Sequence, residues 1–249
     1  MCGIIAAATE KSVGKLLVQG LYKMEYRGYD SAGVALHQVK DIAHLRSLGK
    51  VEKLESKMKK QKPRGKIGIA HTRWATHGKP SEENAHPHAS KDRVFIVHNG
   101  IIENYIELKE QLSKKGYVFV SQTDSELIAH QLDFFLSQKH NMFKAMSLLK
   151  KKLQGAFATA AIDQTDDSHF YLMRNKSPLL LGISDEGVFA ASDPLALADI
   201  TNEFVFLEDG DVVEASASEY KIFDENEKRA IRKITTVSYT HLRAHETLI

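Results

Sequence analysis

The 249 residues include one cysteine, one tryptophan and five prolines. The single thiol, Cys2, has no partner within the chain. An internal disulfide is therefore excluded, which suits a reducing compartment. Proline scarcity and the lack of a Pro/Ser-rich stretch leave no visible interdomain linker, and no internal repeat or low-complexity segment occurs. No apolar run approaches the roughly 20 residues needed to span a bilayer. No basic region precedes the apolar stretch at the amino terminus, as it would in a secretory signal. Neither sign of charge dominates: 34 Lys and Arg against 32 Asp and Glu leave a formal net charge of +2. That balance gives no reason to expect a nucleic-acid or membrane partner, and the expected compartment is the cytoplasm.

What is present is the ordinary balance of a globular protein, with 43% hydrophobic and 27% charged residues, at the upper end of what one core usually holds. Residues 3–8 read as a buried strand beginning almost at the first residue. Val13, Leu16, Leu17, Leu21 and Met24 have the three-and-four spacing of an amphipathic helix. A strand is expected at 34–36, a lysine-rich helix near 51–61 ended by Pro63, and strands at 67–71 and 94–97. Residues 75–92 read as a loop. A helix should follow His98-Asn99-Gly100 and run to about Lys115. Thr123 and Glu126 have the capping-box spacing for the next helix, and a third spans about 142–153 with Gly155 closing it. From Phe157 onward the sequence predicts short strands, at 156–162, 169–173, 179–183, 187–191, 203–207, 211–215, 219–223 and 229–235. Helices gathered in the first 155 residues and strands after them indicate an α+β class with antiparallel sheets covered by helices. Residues 237–249 show neither period and are treated as a tail outside the domain.

Several residues can carry chemistry. Removal of Met1 would leave Cys2 with a thiol and a free α-amine on one residue. That amine, with an ordinary pKa of about 7.7–8.0, can take the thiol proton near neutral pH. For an isolated cysteine, a small buried hydrophobe is the plainer reading. Asn99 and Gly100 sit where a strand is expected to end, so the side-chain amide and the Gly100 N–H can converge as an oxyanion hole; an ordinary Asn-Gly turn fits equally well. Arg73 suits a substrate carboxylate because its planar fork engages both oxygens. Asp124 suits an α-ammonium, although a helix dipole alone would favour an acid there. Together they have the charges needed to recognise a free amino acid. His71, His77, His86, His88 and His98 crowd one stretch, but none has the helical His-x-x-x-His spacing of a zinc site, so no metal is expected, and a thiol activated by its own amine needs no organic cofactor.

Long motifs appear in a fixed order: Met1-Cys2-Gly3-Ile4, Glu25-Tyr26-Arg27-Gly28-Tyr29-Asp30-Ser31-Ala32-Gly33, Gly68-Ile69-Ala70-His71-Thr72-Arg73-Trp74-Ala75-Thr76-His77-Gly78, Asn84-Ala85-His86-Pro87-His88, His98-Asn99-Gly100-Ile101-Ile102-Glu103-Asn104 and Thr123-Asp124-Ser125-Glu126. From residue 1 to about 235 the sequence resembles the glutaminase, or type 2 glutamine amidotransferase, domain of the glucosamine-6-phosphate synthase family. The resemblance implies an amino-terminal-nucleophile hydrolase fold, a four-layer αββα sandwich. It implies Cys2 as nucleophile and Asn99 and Gly100 as oxyanion hole. It also implies substrate binding by Arg73, Trp74, Thr76, His77, His86 and Asp124. Within that set Arg73, Thr76 and His77 would hold the glutamine α-carboxylate, Asp124 the α-ammonium, and Trp74 would gate ammonia. Arg27 and Gly28 match a loop supporting the nucleophile. On this expectation residues 1–236 form the glutaminase domain. Fructose 6-phosphate would be met only through the family's sugar-isomerase domain, expected to be missing here, and a homodimer belongs to the full-length enzyme. The other readings are a phosphoribosyl-amine or asparagine-forming amidotransferase, a non-catalytic amino-acid-binding module, and an amino-terminal-nucleophile peptidase.

Overall fold

The computed structural model describes residues 2–74 and 78–237. The apolar run after Cys2 forms β1 (Gly3–Thr9), buried along its whole length. Side chains alternate along a strand, so Ile4, Ala6 and Ala8 enter one core while Ile5 and Ala7 enter another. A strand that is apolar on both faces must lie between two layers. On the Ile5 side lies α1 (Gly14–Met24), which buries Leu17, Val18, Leu21 and Met24. After β2 (Ser31–His37) and β3 (Ile42–Leu48) comes α2 (Val51–Gln61), adding Val51 and Leu54 to the same core. Next are β4 (Ile67–Arg73), β5 (His88–Ser90) and β6 (Val94–Ile102). Three helices follow: α3 (Tyr105–Ser113), α4 (Glu126–Ser137) and α5 (Met142–Lys152).

The remaining strands are β7 (Gly155–Asp163), β8 (Phe170–Asn175), β9 (Leu180–Ser184), β10 (Gly187–Ala191), β11 (Glu203–Phe206), β12 (Val212–Ala215), β13 (Tyr220–Phe223), β14 (Arg229–Ala230) and β15 (Ile234–Thr236). The strands form two sheets, ordered β15-β11-β9-β10-β1-β4-β2-β3 and β14-β13-β12-β8-β7-β6-β5. Between them Ile4, Ile69, Phe95, Val97, Leu172 and Leu181 share one core. The outer face of the second sheet, through Val94, Ile96, Phe157 and Met173, packs on Leu112, Leu132, Met146 and Leu149 of α3, α4 and α5. Three cores separate four layers, and the expected αββα sandwich is what forms. Burying each large apolar side chain contributes about 1.5–3 kcal/mol before the entropy of ordering it is counted.

The structure departs from the sequence reading at four points. Strand β3 was not expected. The capping box at Thr123 does not form: α4 starts at Glu126, and no side chain caps its first turn. The Glu126 carboxylate instead accepts the Val120 and Ser121 backbone N–H groups, the latter at 2.7 Å. Gly155 opens β7 rather than closing α5, which ends where Leu153 turns extended. Finally, β6 runs on to Ile102, so Asn99 and Gly100 lie within a strand and not at its end.

Candidate active site

Cys2 immediately precedes β1, which lies between β10 and β4, and Gly3 pairs with Thr72. That register brings Cys2 beside the end of β4. The Trp74 backbone N–H donates to Cys2 Sγ at 3.3 Å, and the thiol lies 3.6 Å from the Trp74 carbonyl oxygen. Burial pushes the Cys2 thiol pKa up, against a smaller opposing pull from the Trp74 backbone. Cys2 is therefore protonated at neutral pH and needs a base before it can attack.

The second sheet supplies the facing residues. Asn99, on β6, donates from Nδ2 to the Cys2 carbonyl oxygen at 3.1 Å across the sandwich. An amide nitrogen carries two hydrogens, so one remains beyond that bond. The far end of β6 has a neighbour on one side only. β7 pairs with its whole length, whereas β5 pairs only with Val94, Phe95 and Ile96. On the open edge the Ile102 N–H donates to Asp124 Oδ2 at 2.7 Å. Backbone groups two residues apart point the same way along a strand, so the Gly100 N–H shares that open edge with Ile102. Gly100 has φ of 126°, and a Cβ there would stand 1.9 Å from the Ala156 carbonyl oxygen. Only glycine can hold the chain that close to β7.

Arg73 ends β4 and is buried. Its guanidinium donates to the Gly78 carbonyl at 3.1 Å and pairs with Asp30 at 3.4 Å. Trp74 is half exposed and its ring lies on Gly28. Gly28 has φ of 93°, and an added Cβ would fall 2.0 Å from the indole, so both its conformation and its neighbour require glycine. Arg27 pairs with Asp193, which also accepts the Tyr26 hydroxyl at 2.7 Å. Next to Asp193, Ser192 clasps the start of β1: its Oγ accepts the Ile4 N–H and its own N–H donates to the Ile4 carbonyl, both at 3.0 Å. The Arg27 loop thus braces the strand that carries Cys2.

The structure brings Cys2, Asn99, Arg73 and Trp74 together, with Gly100 and Asp124 along the open edge of β6 and Arg27 and Gly28 behind Trp74. His86 is placed differently. It is buried with both ring nitrogens unbonded, 4.0 Å from the His71 ring and 4.6 Å from the His88 ring. Burial drives its pKa well below the usual histidine value. Thr76 and His77 lie outside the described residues. Among the described residues, no group of three or more His, Cys, Asp or Glu side chains is arranged to hold a metal ion.

Residues 71–199 match the glutamine amidotransferase domain family. The chain belongs to that family. Amidotransferase domains of this kind take ammonia from glutamine. Over 242 residues the chain is 46% identical to the glutamine–fructose-6-phosphate aminotransferase (isomerizing) of Vibrio parahaemolyticus, covering 97% of this chain and 40% of that protein. It is 45% identical over 223 residues to the enzyme of the same name from Acinetobacter baylyi, covering 90% and 36%. The chain therefore spans about 40% of the length of such relatives. Among solved structures, a glutamine phosphoribosylpyrophosphate amidotransferase from B. subtilis superposes with a TM-score of 0.74 at 20% identity, covering 96% of this chain and 50% of the other. A glutamine aminotransferase class-II domain protein from Silicibacter pomeroyi gives 0.61 at 16% identity, covering 90% and 99%. These two show the shared fold.

Sequence reasoning about this amidotransferase domain missed Ser192, Asp193 and Asp30. Asp193-Pro194 had a readable signal, an acid capping a turn opened by proline, and Asp193 Oδ1 does accept the Leu195 N–H at 2.9 Å. Nothing in the sequence linked that turn to Arg27, 166 residues away.

Proposed function

We propose that this domain hydrolyses L-glutamine to L-glutamate and ammonia with Cys2 as nucleophile. The observation that carries the reading is the Asn99 amide, whose nitrogen stands 3.1 Å from the carbonyl oxygen of Cys2 itself. Once Met1 is removed, the α-amine of Cys2 takes the thiol proton and the sulfur attacks the γ-amide carbon. Negative charge gathers on the amide oxygen, where the second Asn99 hydrogen and the Gly100 N–H receive it. Collapse breaks the carbon–nitrogen bond, and the ammonium returns its proton to the departing ammonia. Water then attacks the γ-glutamyl thioester, releasing glutamate and regenerating the thiol. Arg73, with Thr76 and His77, holds the substrate α-carboxylate and Asp124 its α-ammonium. His86 supports the pocket from behind His71.

We further propose that residues 1–236 are the ammonia-supplying part of a glutamine–fructose-6-phosphate aminotransferase. In that enzyme Trp74 lies on the ammonia path, and fructose 6-phosphate binds a separate sugar-isomerase domain. Identity of 43–46% to enzymes of that name supports this branch. The test is ammonia release from glutamine, with intact mass read on the same sample. Cys2→Ala is expected to lose all turnover while keeping its circular dichroism spectrum, and active protein should lack Met1. Wild-type turnover in Cys2→Ala, or full activity with Met1 retained, would refute the mechanism.

A further inference from the structure

His71 lies on β4, fully buried, and its Nε2 is 3.1 Å from the His98 carbonyl oxygen and 2.9 Å from Asn99 Oδ1. A carbonyl can only accept, so Nε2 carries the hydrogen. Burial pushes the ring pKa down to about 3, which leaves one hydrogen on the imidazole and Nδ1 bare. Nδ1 indeed has no partner. With Nε2 as donor, the Asn99 atom it touches must be the oxygen, and Nδ2 is turned toward Cys2. The Cys2 carbonyl, also an acceptor only, requires the same orientation from the other end. A flipped amide would set nitrogen against N–H and oxygen against oxygen.

We propose that His71 is a positioning residue that fixes the Asn99 amide so that its nitrogen faces the oxygen on which negative charge develops. This rests on the oxyanion role given to Asn99 above. The bond that His71 makes to Asn99 runs from the first sheet to a side chain of the second. The His86 ring packs against the imidazole, tilted by 34° with the ring centroids 4.0 Å apart.

The experiment compares His71→Met, which keeps length without a donor, with His71→Gln, whose amide nitrogen falls where Nε2 stood. Each is made in the wild type and in Asn99→Ala. Asn99→Ala alone should lower kcat about 10²–10³-fold with little change in KM, the usual effect of losing one oxyanion donor. His71→Met should lower kcat tenfold or more with KM within about threefold, and His71→Gln should restore most of it. In the Asn99→Ala background, His71→Met should add no further loss. Equal losses in both backgrounds, or unchanged kcat in His71→Met, would overturn the proposal. Unchanged kcat in Asn99→Ala would instead sink the oxyanion assignment itself. Should His71→Met fail to fold, the long-range 1H–15N spectrum of the wild type decides: a hydrogen on Nε2 is expected, and one on Nδ1 overturns the proposal.

Discussion

At the scale of single residues, the site depends on how close two backbones can come. Gly100 sits against β7 with φ of 126°, where an alanine Cβ would meet a carbonyl oxygen at 1.9 Å. Backbone strain of this kind costs about 1–3 kcal/mol, and the clash adds to it. Gly100→Ala is therefore expected to lose at least about 2 kcal/mol in urea unfolding, and glutamine hydrolysis with it. Wild-type values for both would show that β6 can shift away from β7. The roles proposed for Cys2, Asn99, Gly100 and Arg73 came from long motifs in a fixed order, since taken singly Cys2 reads as a small buried hydrophobe and Asn99-Gly100 as a turn. The orientation of the Asn99 amide was not legible. It is set by His71 and by the Cys2 carbonyl, partners 28 and 97 residues away.

At the scale of elements, strands apolar on both faces were easy to read, since a continuous apolar run admits few alternatives. Strand β1 is one. Strand β3 escaped because polar His44 and Arg46 break up what is otherwise a mostly apolar run. Those two polar side chains bond carbonyl oxygens of the 83–87 loop rather than entering a core. The start of α4 was misread for a related reason. Thr123 and Glu126 have capping-box spacing, but Thr123 Oγ1 bonds His88 at 3.0 Å and Glu126 reaches back to residues 120 and 121. Burial by itself would raise the Glu126 pKa, yet bonds from His130, Val120 and Ser121 hold it down to about 2. The stability it gives is present above the ordinary carboxylate pKa of about 4.3 and is lost as pH falls through about 2. Glu126→Gln would turn an amide N–H toward a backbone N–H. A loss of about 1–3 kcal/mol at pH 7 is expected, or a Tm lower by several degrees. An unchanged Tm would show that one carboxylate oxygen suffices.

At the scale of the whole molecule, burial holds five imidazoles neutral. Burial lowers the pKa of His44 to about 4 and of His71 and His88 to about 3, and lowers His86 and His98 as well. In the unfolded chain each takes a proton near pH 6.5, whereas in the folded protein it does not. The unfolded state therefore binds more protons between pH 6.5 and about 3, so stability falls as pH falls through that window. Each histidine contributes a slope of up to about 1.4 kcal/mol per pH unit. The urea midpoint should hold steady from pH 8 to 7 and drop clearly between pH 6.5 and 5, above the range where most carboxylates titrate. A midpoint flat down to pH 5 would mean that these rings are charged in the folded state.

The central claim is that the one thiol faces a pocket built for a free amino acid. A γ-diazoketone analogue of glutamine, incubated with the protein and followed by intact mass and peptide mapping, tests it most directly. One equivalent should attach to Cys2, and excess glutamine should slow the reaction. Attachment at another side chain, or none at all, would contradict the account.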